Sequence, residues 1–300
     1  MTLDCYTNAA MEDRIWAHAL PEGQAKWTSP KTGIELGGYA VSSVFRERCN
    51  GNIARLGVTM HEFYHTLGLP DLYDRDLPYA SVQGKGGLGG IGVYDMMACP
   101  FGVNNNQMYP GSLSPWSKLE MGFLKEPIEI TKSGFYTAKP SNDYPDVYAI
   151  KKGYPDGEML LMENRQNIGH DATLPTGGML IYKIDGTAYS NGNRNHGYPG
   201  QVDSPEVGQS WPSNGLHFSI ALLQADGDYD LEQGYNNGDA EDFYNNIDQI
   251  LGPGNGESVA TGKGTYPNTD RYDDLQSQRE RESKICGFKS IRYIRSIEIY

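Results

Sequence analysis

Positive charge is scarce in this sequence. Lys and Arg total 25 against 38 Asp and Glu, leaving a net charge of -13 at neutral pH over 300 residues. A field of that sign repels phosphate, which excludes nucleic acid and anionic membrane surfaces as partners. Long apolar runs are missing too. No stretch reaches the roughly 18 residues that a bilayer crossing needs, so membrane insertion is not expected. Cysteine is sparse: Cys5, Cys49, Cys99 and Cys286 show no Cys-x-x-Cys spacing, which argues against a cysteine zinc site. They form two disulfides, with three pairings open, or remain buried thiols. The first residues hold neither the basic nor the apolar segment of an export signal. Either the chain is not exported or its signal lies outside this sequence.

Turn-forming residues are abundant, with 37 Gly among them, as is Tyr at 21. They point to many turns and ordered loops rather than long helices. One segment carries chemistry: His61-Glu62-Phe63-Tyr64-His65-Thr66-Leu67-Gly68-Leu69-Pro70-Asp71. Apolar residues at 53, 56, 60, 64 and 67 predict a helix over 52–67, capped by Asn50 or Asn52. Histidines four apart then lie one turn apart on one face, where both imidazoles reach a single ion. Gly68 suits a left-handed C-terminal cap, and Pro70 prevents continuation. The turn brings Asp71 back as a third ligand. Three protein ligands and one open position form a catalytic zinc pattern, with Glu62 placed as general base. A bare His-Glu-x-x-His arises by chance on the order of one per cent of the time in a chain this long, and the added Gly and Asp make it far more specific.

Tyr94-Asp95-Met96-Met97-Ala98 reads as a methionine-containing turn, with Met97 rather than Met96 forming an apolar floor beneath the ligands. The glycine-rich run 81–92 reads as a flexible surface loop, because no strand and helix flank it as in a phosphate-binding loop. Ser114 and Pro115 open a short helix over 114–124. Residues 37–45 read as a strand. Beyond residue 126, apolar runs at 146–150, 158–162, 178–184 and 216–223 predict a sheet. Glu163 and Arg165 suggest a buried structural ion pair. His18, His170, His196 and His217 lack ligand spacing.

A dense acidic group, Asp226, Asp228, Asp230, Asp239 and Asp242, offers hard oxygen ligands suited to calcium, with Asp74 and Asp76 a weaker candidate pair. It is not an EF-hand, because Leu231 stands where that loop requires glycine.

The zinc segment with its continuation Leu72-Tyr73-Asp74 and the turn at 94–98 resembles the immune inhibitor A family of secreted metallopeptidases, a metzincin-like group. The similarity continues through 114–123, 162–166, 177–185 and 223–227 and covers roughly residues 34 to 245. It implies an extracellular zinc endopeptidase acting on polypeptides, often stabilised by calcium. Tyr64 stands where the family commonly has glycine, and Lys183 where histidine is common. The stretch before His61 is also shorter than the upper subdomain of that group, so its N-terminal sheet is expected to be incomplete, with 37–45 as the edge strand that receives substrate.

The expected architecture is α+β: a metzincin-like zinc-binding catalytic domain over residues 1–125, then a β-rich region over 126–300 holding the candidate calcium ligands. The cofactors expected are Zn2+ and Ca2+. The alternative function is a catalytically inert, metal-stabilised secreted binding module derived from a protease fold.

Overall fold

A computed structural model describes residues 17–24, 27–44, 53–73, 89–104, 107–186, 219–228, 230–231, 234–246, 249–251, 269, 288–290 and 296–299. Asn50, Asn52, Asp74, Asp76, Cys5, Cys49, Cys286, His196 and His217 lie outside these residues, so the expectations placed on them do too.

The chain is α+β with a β-rich C-terminal region. Strands β1 (His18–Leu20) and β4 (Tyr39–Val41) pair antiparallel, and between them β2 (Trp27–Thr28) pairs with β3 (Glu35–Leu36). Helix α1 (Leu56–Thr66) packs on β1 and β4, and the short helix α2 (Pro115–Glu120) follows. Then come β5 (Ile128–Glu129), β6 (Gly134–Thr137), β7 (Val147–Ile150), β8 (Glu158–Arg165), β9 (Gly178–Asp185) and β10 (Ile220–Leu222). The last strands are β11 (Ile250–Leu251), β12 (Phe288–Ser290) and β13 (Ser296–Ile299). The main sheet has the order β10-β9-β8-β7-β5, antiparallel except for the β5–β7 pair. A second sheet runs β11-β12-β13-β6. No helix among the described residues is long and apolar enough to cross a membrane.

The predicted sheet is present with shifted bounds. Strand β8 extends to Arg165, and β10 covers 220–222 of the described part, 219–223, of the expected run 216–223. Strand β9 is buried along its whole length, so the main sheet is covered on both faces. Side chains alternate across it. Val147, Leu161, Leu180, Tyr182 and Leu222 join one apolar core with Leu72, Val93, Met97 and Trp116. Tyr148, Leu160, Met162, Met179 and Ile181 form another behind it. The first core therefore draws on residues from both sides of position 125.

Two local expectations fail. The glycine run is not an exposed loop where it is described: Gly89, Gly90 and Gly92 are buried. Gly90 and Gly92 adopt φ of +68° and +56°, and a Cβ on them would stand 1.9 Å from the Leu72 carbonyl oxygen and 2.3 Å from that of Asn237. Their glycine identity comes from backbone packed on backbone, not from flexibility. The predicted stripe of α1 is also only half correct. Met60 and Tyr64 pack on the core, but Ile53, Leu56 and Leu67 are exposed, and the buried residues of the helix are Gly57, His61 and Glu62.

The Glu163–Arg165 pair is buried as expected, at 2.9 Å, and it is larger than the sequence indicated. By alternation both residues share the face of Leu161. Arg165 also bonds Asp171 through Nε at 2.8 Å, the Ser112 carbonyl at 2.7 Å and the Tyr94 carbonyl at 3.1 Å. Glu163 accepts from Ser141 at 2.6 Å and from the Tyr182 hydroxyl at 2.9 Å. Lys183, placed where the resemblance suggested histidine, is buried against Glu158 at 2.9 Å and over the Tyr154 ring at 4.0 Å.

Burial pushes the Glu163 and Asp171 carboxyls up, but the Arg165 charge outweighs it, and both end below the usual carboxylate range. Their contribution to stability is thus complete above the unfolded value of about 4 and is lost as pH falls through the lower folded value. Arg165→Met should cost about 3–5 kcal/mol at pH 7, because it strands two buried carboxylates. In urea unfolding the gap to wild type should narrow towards pH 3; a gap independent of pH would contradict this account.

Candidate metal centre

Helix α1 begins four residues later than predicted. The Ala54 N–H is given to the Val44 carbonyl at 2.8 Å, which holds the chain extended there. Arg55 occupies the N-cap without a side-chain bond. The C-terminus closes as the sequence indicates. Gly68 takes φ +103°, its N–H reaches the His65 carbonyl at 3.0 Å, and the Leu69 N–H reaches Tyr64 at 3.2 Å. These two bonds form a Schellman motif. Gly57 sets how deeply the helix sits, since a Cβ there would lie 2.0 Å from the Pro100 carbonyl oxygen.

The three predicted zinc ligands converge. His61 Nε2 and His65 Nε2 are 3.1 Å apart, and Asp71 Oδ1 lies 3.2 Å from the first and 3.0 Å from the second. The other imidazole nitrogens face backbone carbonyls: His61 Nδ1 meets Met96 O at 3.1 Å and His65 Nδ1 meets Leu69 O at 2.7 Å. A carbonyl only accepts, so both Nδ1 atoms carry the proton, and both Nε2 atoms of the neutral rings present lone pairs to one another and to a carboxylate. That arrangement is repulsive unless a proton or a cation sits among the three. Edges of 3.0–3.2 Å also approach the spacing of ligand atoms that hold one tetrahedral zinc at about 2.0–2.1 Å. The donor set fits zinc.

The electrostatics agree. With a proton rather than a cation among the three, burial still raises the Asp71 carboxyl, but the protonated histidines then donate to it, overcome the burial and hold it well below its ordinary range. Burial lowers the His65 imidazole, but Asp71 reverses that and leaves it raised. Glu62 is buried at the same site without joining the three converging atoms. Burial lifts its carboxyl against the opposing histidine charges, including that of His18 on β1.

Met97 is fully buried in the turn below, as expected of a floor residue, yet the stronger link is backbone. The Met96 carbonyl orients His61, and the Met97 carbonyl accepts from the Leu72 N–H at 2.9 Å, next to Asp71. Sequence reasoning missed these carbonyls, which no side-chain pattern reveals. It also missed Tyr73, whose ring stacks on His61 at 6.3 Å. Tyr64, with Met60 and Met96, lines a cavity of about 530 Å³. Cys99, beside the turn, is a free buried thiol whose pKa burial pushes up to about 11.

Of the five acidic candidates for calcium, the structure gathers Asp226, Asp239 and Asp242. Asp228 and Asp230 are not in that group: the Asp228 N–H binds Asp226 Oδ1 at 3.0 Å, and the Asp230 carboxylate takes a bond from Asn236 at 3.2 Å. Tyr94 donates its hydroxyl to Asp242 at 2.8 Å. Burial first, then mutual repulsion, raises the Asp226 and Asp242 carboxyls.

No family model, curated protein or solved structure matches the chain.

After dialysis against excess zinc, the wild-type chain should retain one ion at this centre. His65→Ala and Asp71→Ala should each lose it, as read by metal analysis; stoichiometric retention in either variant would remove that residue from the ligand set.

Proposed function

We propose that the chain is a zinc-dependent endopeptidase of metzincin-like architecture that hydrolyses peptide bonds of extracellular proteins. One observation carries the reading: three lone-pair atoms of His61, His65 and Asp71 meet within 3.2 Å of one another, with the buried Glu62 beside them. Zinc held there supplies Lewis acidity, which activates water at neutral pH and polarises a carbonyl. Glu62 accepts the proton of the attacking water and later returns it to the leaving amine. Its raised carboxyl suits that exchange, because a stronger base takes the proton more readily. Strand β4 pairs with β1 on one edge only among the described residues, and its other edge suits an extended substrate.

Glu62→Gln should keep zinc and lower kcat on a generic protein such as casein by roughly 10²–10⁴-fold. A chelator should abolish cleavage, and added zinc should restore it. Full activity of Glu62→Gln would overturn the role of Glu62. Zinc bound with no cleavage by the wild type would favour the inert binding module instead.

The second part of the proposal is a calcium ion on Asp226, Asp239 and Asp242, an all-oxygen donor set. Because the fold raises the Asp226 and Asp242 carboxyls, their stability contribution is present at low pH and lost as pH rises through the folded values. Calcium should therefore raise Tm more at pH 7.5 than at pH 5, and Asp242→Asn should remove most of that rise; a calcium shift equal at both pH values would count against the site.

A further inference from the structure

The Met96 and Met97 carbonyls hold the metal centre from below, so whatever fixes the turn at 94–98 also fixes the ligands. Asp95 is fully buried inside that turn. Its Oδ1 accepts from the Met97 N–H at 2.7 Å. Its Oδ2 accepts from the Ser114 N–H at 2.7 Å and from the Ser117 hydroxyl at 2.6 Å. One carboxylate thus closes the turn on itself and pins it to the N-terminus of α2. The Asp95 carbonyl meanwhile accepts from the Ala98 and Cys99 N–H groups, both at 3.0 Å.

We infer that Asp95 is a positioning residue for the metal centre, setting zinc affinity through the two consecutive carbonyls that hold His61 and the residue after Asp71. This rests on the zinc reading above. The chain of contacts is continuous. The Asp95 carboxylate fixes the Met97 N–H, and the Met96–Met97 peptide then presents its neighbouring carbonyls to His61 Nδ1 and the Leu72 N–H. Groups that orient metal ligands in this way commonly change affinity 10–100-fold when altered. His65 is oriented separately, by the Leu69 carbonyl, and is independent of the clamp.

The carboxylate is specifically required. All three of its partners give N–H or O–H groups, and bonds to a charged acceptor are about twice as strong as neutral ones. An asparagine presents one oxygen and one NH2. Whichever way it is turned, the NH2 faces a backbone N–H, from Met97 or from Ser114, so one buried donor goes unmet.

The test is zinc affinity, measured on the full chain by competition with a chromogenic chelator, together with the visible spectrum of the cobalt-substituted protein. Asp95→Asn should weaken zinc about 10–100-fold and alter the cobalt spectrum, and Ser117→Ala, which removes one of the three bonds to the Asp95 carboxylate, should do the same more mildly. Leu160→Ala, a core truncation on the far face of the sheet, should lower Tm yet leave both readouts unchanged. If Asp95→Asn does not fold, Ser117→Ala carries the test alone. Wild-type affinity and spectrum in the folded variant would overturn the role of Asp95 while leaving the metal centre intact. Failure of the wild type to take up zinc or cobalt would overturn the zinc reading and this inference with it.

Discussion

Arg165 is where the sheet and the segment beneath the candidate metal centre become one structure. Its guanidinium is fully buried, satisfied by Glu163 and Asp171, and spends two further donors on the carbonyls of Tyr94 and Ser112. A charge in that position is tolerated only with every partner in place, because desolvation costs several kcal/mol per ion. The same demand forces the segment at 94 and the loop at 112 to meet the end of β8. Tyr94 opens the turn under the histidines, and Ser112 leads into the helix whose N-terminal residues donate to Asp95.

Polar groups, not apolar ones, set the precision of the centre. The first core brings Leu72, Met97 and Trp116 together, but apolar contact is non-directional and leaves rotation free. Direction comes from the buried bonds of Asp95, from the Schellman closure at Gly68, and from the carbonyls facing each imidazole. The acidic group at 226–242 joins the same arrangement through Tyr94, whose hydroxyl reaches Asp242 while its carbonyl reaches Arg165.

What could be read from the sequence was local. The spacing of His61 and His65, the cap at Gly68 and the N-cap at Ser114 depend on neighbours within a few residues, and the structure has them where expected. The strand runs were legible because apolar periodicity is a local pattern, although their bounds were not. What stayed hidden depends on contacts distant in the chain. The start of α1 is set by Val44, the identity of Gly90 by Leu72, and the orientation of His61 by a carbonyl 35 positions away. Asp228 and Asp230 looked equal to their neighbours as ligands because composition carries no direction. The Asp95–Met97 contact could have been anticipated, as could that of Asp226 with Asp228, since an aspartate bonding the N–H two residues on is a common turn signature.

Gly57 gives α1 a property that attraction alone could not. The helix presses backbone against the Pro100 carbonyl at a point with room for hydrogen and nothing larger. A slip by one residue would turn the helix by about 100° and bring Leu56 or Val58 to that point, where either side chain collides with main chain. Wrong settings are thus shut out by volume rather than outcompeted by energy. The face that carries His61 and His65 is chosen by a keyway, with a missing methyl as its slot.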